Sequence, residues 1–411
     1  MKTYMKMKRA TLSVGVVAAL VASTGCGDLL TVQNPGLIED ATLESPTVFA
    51  ALVAGVSGDF SQAMAVARSI SEMSFEQQTA GPTVETWSIG VFEPAQINPW
   101  WTAMHKARWV AENGVERMKS NLPAADFAKS ALVARAKLFA GFSNRFLGEN
   151  VCYAVIDGGK AQARTEHFKR AEQEFTEAMA TAQAAGASAA NIYTAALAGR
   201  AEVKAWQGNW AGAVVDAALV PAGFKYQALF SSNTAREENF YWFYTWRQWY
   251  ATLANTPWLS TTDPRVVFVV QKDAKGGQIV TRDGRWPAIA QGKYQSTNDD
   301  VDIVSGRGML LLRAEAALRN KDIGGATTLM NANRAVYNMA PLATPATEAD
   351  AWKTLIYERG ATLWLEGRRF FDLSRWYTQG VDTQMKGRAL CMPIAKVEMD
   401  TNPNLKGFTG L

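Results

Sequence analysis

Two passages of this chain share one pattern, and it limits the fold more than any other feature. Leu197-Ala198-Gly199-Arg200-Ala201 runs through Trp206 to Gly208-Asn209-Trp210 and Ala213, and Leu312-Arg313-Ala314-Glu315-Ala316 runs through Leu318 to Asn320-Lys321-Asp322 and Ala326. Small residues let two helices cross closely, and a short polar turn then returns the chain. One such pair cannot bury its apolar faces alone, so pairs must stack on pairs. Helical periodicity starts near Pro46 and predicts helices over 101–119 and 126–147, 167–185 and 189–207, and 306–319 and 322–336, with a last one over 352–376. Few segments alternate in the period of a strand. The expected fold is mainly α, a tetratricopeptide-like superhelix of helical pairs with an irregular, loop-rich ligand-binding face and little β structure.

That face is expected in the interruption between the pairs, about 224–305. Asn239-Phe240-Tyr241-Trp242-Phe243-Tyr244-Thr245-Trp246-Arg247-Gln248-Trp249-Tyr250 places aromatics at nearly every position, and Asp263-Pro264-Arg265 and Trp286-Pro287 follow in a Gly/Pro/Asp-rich setting. Val266–Gln271 and Gln278–Thr281 are candidate isolated strands. A second irregular stretch, between Phe60 and Trp100, holds Trp87. Sugar rings carry apolar C–H faces edged by hydroxyls, so an indole beneath the ring with a few Asn, Asp or Arg partners suits them. Trp87, Trp242, Trp246, Trp249 and Trp286 are the candidate ligand-binding residues, against the competing reading that large aromatics pack the core.

The N-terminus has the build of an export signal over 1–25: Lys2, Lys6, Lys8 and Arg9, an apolar run from about Ala10 to Ala22, then Ser23-Thr24-Gly25 before Cys26. Small residues directly before a cysteine resemble a lipobox, with Cys26 the lipid-attachment residue and 26–45 a tether to one domain over 46–411. The four N-terminal cations account for the whole net charge of +4. The remaining chain is neutral, which argues against an electrostatic nucleic-acid binder. No apolar run is read as reaching the ~20 residues of a spanning helix. Cys152 and Cys391 either bridge or stay separate as buried thiols, the commoner fate of cysteines whose proximity spacing does not show.

Catalytic patterns are missing from the sequence. His105 and His167 stand alone, and no metal-ligand spacing, phosphate loop or nucleophile elbow occurs. Asn298, Asp300 and Asp302 imitate the start of a calcium loop, but Ile303 and Met309 replace its glycine and glutamate. No metal or cofactor is expected. Glu366 with Arg369, Arg368 with Asp372, and Asp372 with Arg375 are spaced for ion pairs along one helix. The alternative, an all-helical exported glycoside hydrolase using Glu315, Glu358 or Glu366, requires two carboxylates facing a cleft. A third reading is a protein-interaction scaffold with a peptide in the repeat groove.

With Leu312 to Ala317, Asn331 with Arg334, Trp101 with Asn113, Arg135 to Gly148, Asp263-Pro264-Arg265, the lipobox and the C-terminal residues that follow, nearly the whole mature chain resembles the SusD/RagB family of outer-membrane nutrient-binding lipoproteins. Tyr357-Glu358-Arg359, then Glu366-Gly367-Arg368-Arg369-Phe370-Phe371-Asp372-Leu373-Ser374-Arg375-Trp376, is similar to that family's signature of Glu-Arg, Glu-Gly-x-Arg and Asp-Leu with an aromatic. Met392-Pro393-Ile394 and Asn402-Pro403-Asn404 resemble its closing segments. The resemblance implies a non-enzymatic protein with four tetratricopeptide-like units, lipid-anchored at the outer membrane and facing the cell exterior. It would capture oligosaccharides, or peptides, and deliver them to a TonB-dependent SusC-like barrel transporter. The family has no fixed ligand motif, so the tryptophan choices rest on composition and placement.

Overall fold

Helix α1 (Phe49–Val66) opens the body with Phe49, Val53, Val56 and Phe60 turned inward at helical spacing. In the computed structural model, which describes residues 40–66, 70–76, 78–79, 85–251 and 261–410, the chain divides into two units, Met1–Ser45 and Pro46–Leu411. Within the first, Asp40–Glu44 is a 3-10 helix. Cys26 lies outside the described residues. The stretch Pro46–Ala65 is long and apolar enough to cross a membrane by composition, more than the sequence reading allowed. Its inward face packs against the next helices of the body.

Those helices follow the expected pairs within a few residues. They are α2 (Asn98–Asn121), α3 (Ala131–Asn150), α4 (Thr165–Ala185), α5 (Ala190–Trp206) and α6 (Trp210–Ala218). Each packs on the next in a continuous stack. Asn209 caps α6 by accepting a hydrogen bond from the Gly212 amide. The small residues have the predicted cause. The Phe175 ring of α4 lies between Gly141 of α3 and Gly199 of α5, where an added Cβ would fall 2.6 and 2.5 Å from it.

The interruption is a side excursion from this stack. It leaves and returns through an antiparallel pair, β2 (Lys225–Ala228) with β6 (Val301–Ser305), and contains α7 (Phe240–Trp246). Two smaller antiparallel pairs join β1 (Gln78–Thr79) to β3 (Tyr250–Ala251) and β4 (Phe268–Val270) to β5 (Ile289–Gln291). The first expected strand is therefore real but shorter. The second, 278–281, contributes isolated bridges, Lys272 with Gln278 and Val280 with Pro287.

The stack resumes with α8 (Gly306–Arg319) and α9 (Ile323–Val336), then α10 (Glu348–Thr362) and α11 (Arg369–Thr378). The continuous helix expected over 352–376 does not form. It breaks between α10 and α11, where Leu365 (φ 57°) and Gly367 (φ 72°) are left-handed. Of the expected helical ion pairs, Asp372 with Arg375 forms, at 2.7 Å. Glu366 instead meets Lys293 at 2.7 Å, and Arg368 reaches Glu149 at 2.9 Å and Glu202 at 3.0 Å. Long-range partners have replaced local ones. Cys152 and Cys391 are also joined, by a disulfide of 2.06 Å, where separate thiols were expected. The Cys152 amide donates to the Met392 carbonyl at 2.8 Å, which brings the two segments together.

Candidate functional site

The aromatic helix α7 is anchored from below. Buried Asn239 caps it, its Oδ1 accepting from the Tyr241 and Trp242 amides at 2.9 and 3.3 Å while its Nδ2 donates to the Asp299 carbonyl at 2.6 Å. Tyr241 and Thr245, one turn apart, are its buried side chains. The Tyr241 ring packs 5.7 Å from Tyr294, whose hydroxyl donates to the Leu365 carbonyl at 3.1 Å. With that face committed to the core, Trp242, Phe243, Tyr244 and Trp246 are left partly exposed.

Arginines order these rings. Arg247 covers Phe243 at 4.3 Å and approaches Trp242 at 5.9 Å. Arg282 lies 4.2 Å over Trp249, and its Nε donates to the Arg247 carbonyl at 2.9 Å. Its amide also donates to the Gln248 carbonyl. The turn 281–286, closed by the Thr281 amide on the Trp286 carbonyl at 2.8 Å, is thereby docked beside the end of α7. It carries Trp286, also partly exposed. The structure thus gathers Trp242, Trp246, Trp249 and Trp286 around one helix and one neighbouring turn. Trp246 is held by its indole N–H on the Tyr294 carbonyl at 3.2 Å.

Trp87 is the exception. Only 3 % exposed, it packs edge-on to Phe92 at 5.2 Å, and Phe92 in turn meets Phe370 at 5.6 Å. It is a core residue and does not belong to this surface. The sequence reading also missed Arg247 and Arg282 as partners of the rings. Their signal was the placement of arginines within and opposite the aromatic run.

The candidate acids do not form a catalytic cleft. Glu315, Glu358 and Glu366 are all buried. Arg375 donates to both oxygens of Glu315, and Glu358 is held by Arg265 and Arg334, each at 2.6 Å. Burial raises the pKa of Glu366 despite Lys293. Half-buried His105 lies beside buried His167, their rings 6.1 Å apart, and desolvation pushes the pKa of both down, that of His167 to about 3. Among the described residues no group of three His, Cys, Asp or Glu side chains is placed to hold a metal.

The same ion pairs tie the aromatic excursion to the stack. Arg265 and Lys293 reach from the excursion to Glu358 of α10 and Glu366 of the α10–α11 break. Residues 308–407, which include both acceptors, match the model of the SusD family. That quarter of the chain is SusD-like in sequence.

Solved SusD structures extend the likeness over the whole body as a fold. A SusD superfamily protein from Bacteroides vulgatus shares 14% identity at a TM-score of 0.64, over 88% of this chain and 98% of its own. A SusD/RagB family protein from Bacteroides thetaiotaomicron shares 13% at a TM-score of 0.65, over 87% and 94%. A SusD-like carbohydrate binding protein from Bacteroides vulgatus shares 13% at 0.60, over 80% and 82%. No curated protein matches the chain.

Proposed function

We propose that this SusD-like protein is a non-catalytic binding protein that captures oligosaccharides on the platform formed by Trp242, Trp246, Trp249 and Trp286. The observation that carries this reading is the set of partly exposed indoles mounted on a buried anchor, while the three candidate acids, Glu315, Glu358 and Glu366, are each held in ion pairs. An indole plane covers the C–H face of a sugar, and the neighbouring guanidiniums of Arg247 and Arg282 offer donors to its hydroxyls. A relative of this fold is described as carbohydrate binding. The protein is tethered to the outer membrane through acylated Cys26, faces outward, and passes its ligand to a TonB-dependent SusC-like barrel. Cys26→Ala should abolish acyl labelling.

The ligand test is a glycan and peptide screen of the protein beside a Trp242→Ala/Trp246→Ala/Trp286→Ala variant. Three ring contacts at about 1 kcal/mol each predict a loss of roughly 100-fold in affinity for the bound glycan, with the helical fold retained by circular dichroism. Undiminished binding by the variant would overturn the site. Peptide binding with no glycan binding would overturn the ligand class.

A further inference from the structure

A cleft of about 350 Å3 lies on the helical stack, where α11 meets the start of α4, the α5–α6 turn and the end of α8. It shares no residue with the aromatic platform. Its walls are aromatic: the Trp206 and Trp210 rings stand 6.3 Å apart at 77°, and Phe371 stands 5.2 Å from Trp206 at 69°. Three guanidiniums line it, those of Arg164, Arg319 and Arg375, and no Asp or Glu does. Two larger clefts differ on this point. One of about 540 Å3 sets Asp59 and Glu237 against Lys106 and Arg236, and one of about 450 Å3 has four glutamates among its lining residues.

The three arginines are not equivalent. Arg375 pairs with Glu315 and with Asp372 at 2.7 Å, and Arg319 pairs with Glu315 at 2.8 Å, both toward the protein interior. Arg375 also covers Trp206 at 4.4 Å, and Arg319 covers Trp210 at 4.2 Å. Arg164 makes no ion pair and no side-chain hydrogen bond among the described residues. Its guanidinium rests 5.7 Å over Phe371, and burial lowers its pKa with no carboxylate opposing the shift. A cation that has lost part of its hydration without gaining a partner is costly, and an anion entering the cleft would repair it.

We propose that this cleft is a second binding site, for a small ring that carries a carboxylate, namely an acidic sugar such as a hexuronate. The charge meets Arg164, and the apolar ring face lies against the corner made by the indoles. Rings set at steep angles form a corner that suits a puckered sugar better than a flat aromatic ligand. The volume lies near the lower end of small-molecule sites, about 300–1,000 Å3. A neutral sugar leaves Arg164 as it was, and a simple carboxylate leaves the corner empty.

The test titrates the protein with glucuronate, glucose and acetate, followed by calorimetry and by tryptophan fluorescence. Glucuronate is expected to bind about tenfold or more tighter than either comparator, because each lacks one of the two recognition elements. Arg164→Gln should weaken glucuronate binding about tenfold or more without lowering the melting temperature, since that side chain makes no ion pair or hydrogen bond among the described residues and its unpartnered charge is itself costly. Trp210→Ala should weaken it as well, and the triple platform variant should not. Absent binding, binding unaffected by Arg164→Gln, acetate binding as tight as glucuronate, or loss in the platform variant would each overturn the proposal. Binding of neutral glycans to the platform is a separate readout, so failure here leaves the proposed function untouched.

Discussion

Asp372→Asn isolates the ion-paired seam between α10 and α11. Asp372 is buried, with one oxygen accepting from Arg359 Nε at 2.7 Å and the other from Arg375 Nη2 at 2.7 Å. Burial alone would raise its pKa, but the two arginines outweigh burial and hold it at about 2, below its ordinary 3.8. A carboxylate lowered on folding adds stability at neutral pH, and that stability is lost as pH falls from near 4 through 2. The displacement corresponds to roughly 2 kcal/mol. The amide costs more than this, because it strands Arg359, whose two terminal nitrogens have no hydrogen-bond partner among the described residues. Breaking a buried pair on one side costs about 3–5 kcal/mol. At roughly 2 cal/mol/K of unfolding entropy per residue, a body spanning 46–411 converts ~4 kcal/mol into about 5 °C of Tm. Calorimetric melts of both proteins from pH 7 to pH 2.5 should show that gap at neutral pH and its narrowing below pH 4, with glycan binding at 25 °C unaltered. Equal melts at pH 7, or native melting with lost binding, would refute the structural assignment.

Two further perturbations test other buried links. Glu76 is pushed up to about 7 by burial, which outweighs its hydrogen bond from the Leu365 amide and the attraction of Arg369. Its raised pKa means stability is full below about 4.5 and is lost as pH rises through 7. Glu76→Gln should therefore melt like the parent at pH 4 and higher at pH 8, by up to about 3 kcal/mol; coincident melts at pH 8 would sink this. The disulfide closes a sequence separation of 239 residues, for which the chain-entropy account gives about 5–6 kcal/mol. Reductant, or Cys152→Ser with Cys391→Ser, should lower Tm by about 7 °C by the same conversion, and the double variant should no longer respond to reductant.

The helical pairs were legible because their cause is local. Gly199 and its neighbours are small where Phe175 must fit, and Asn209 and Asp322 sit where caps are needed. The break after α10 was not legible, because charges three and four apart suit a continuous helix equally well. What decides it lies far off in sequence: Lys293 takes Glu366, while Glu149 and Glu202 take Arg368. Gly367 was the local hint, but Leu365 also adopts a left-handed conformation that its side chain disfavours. The disulfide was hidden for a similar reason. Its cysteines meet through the pairing of Val151 with Met392, which spacing does not reveal.

Composition could find the candidate surface without separating its members. Trp87 and Trp286 both stand in irregular sequence, yet one packs on Phe92, which itself meets Phe370, and the other rides a turn docked by Arg282. Tyr241 and Thr245 show what was needed: once one face of α7 is known to be buried, the rings between them must look elsewhere. The residues that match the SusD family and those that form the platform occupy different parts of the chain, 308–407 and 242–286. The matched region supplies Glu358, Glu366 and the Leu365 carbonyl, which receive Arg265, Lys293 and Tyr294 from the excursion. Those contacts hold the excursion in position and leave its outward rings unspecified. A family match confined to the clamp therefore identifies the scaffold, while the ligand proposed for the platform rests on side chains that the clamp does not constrain.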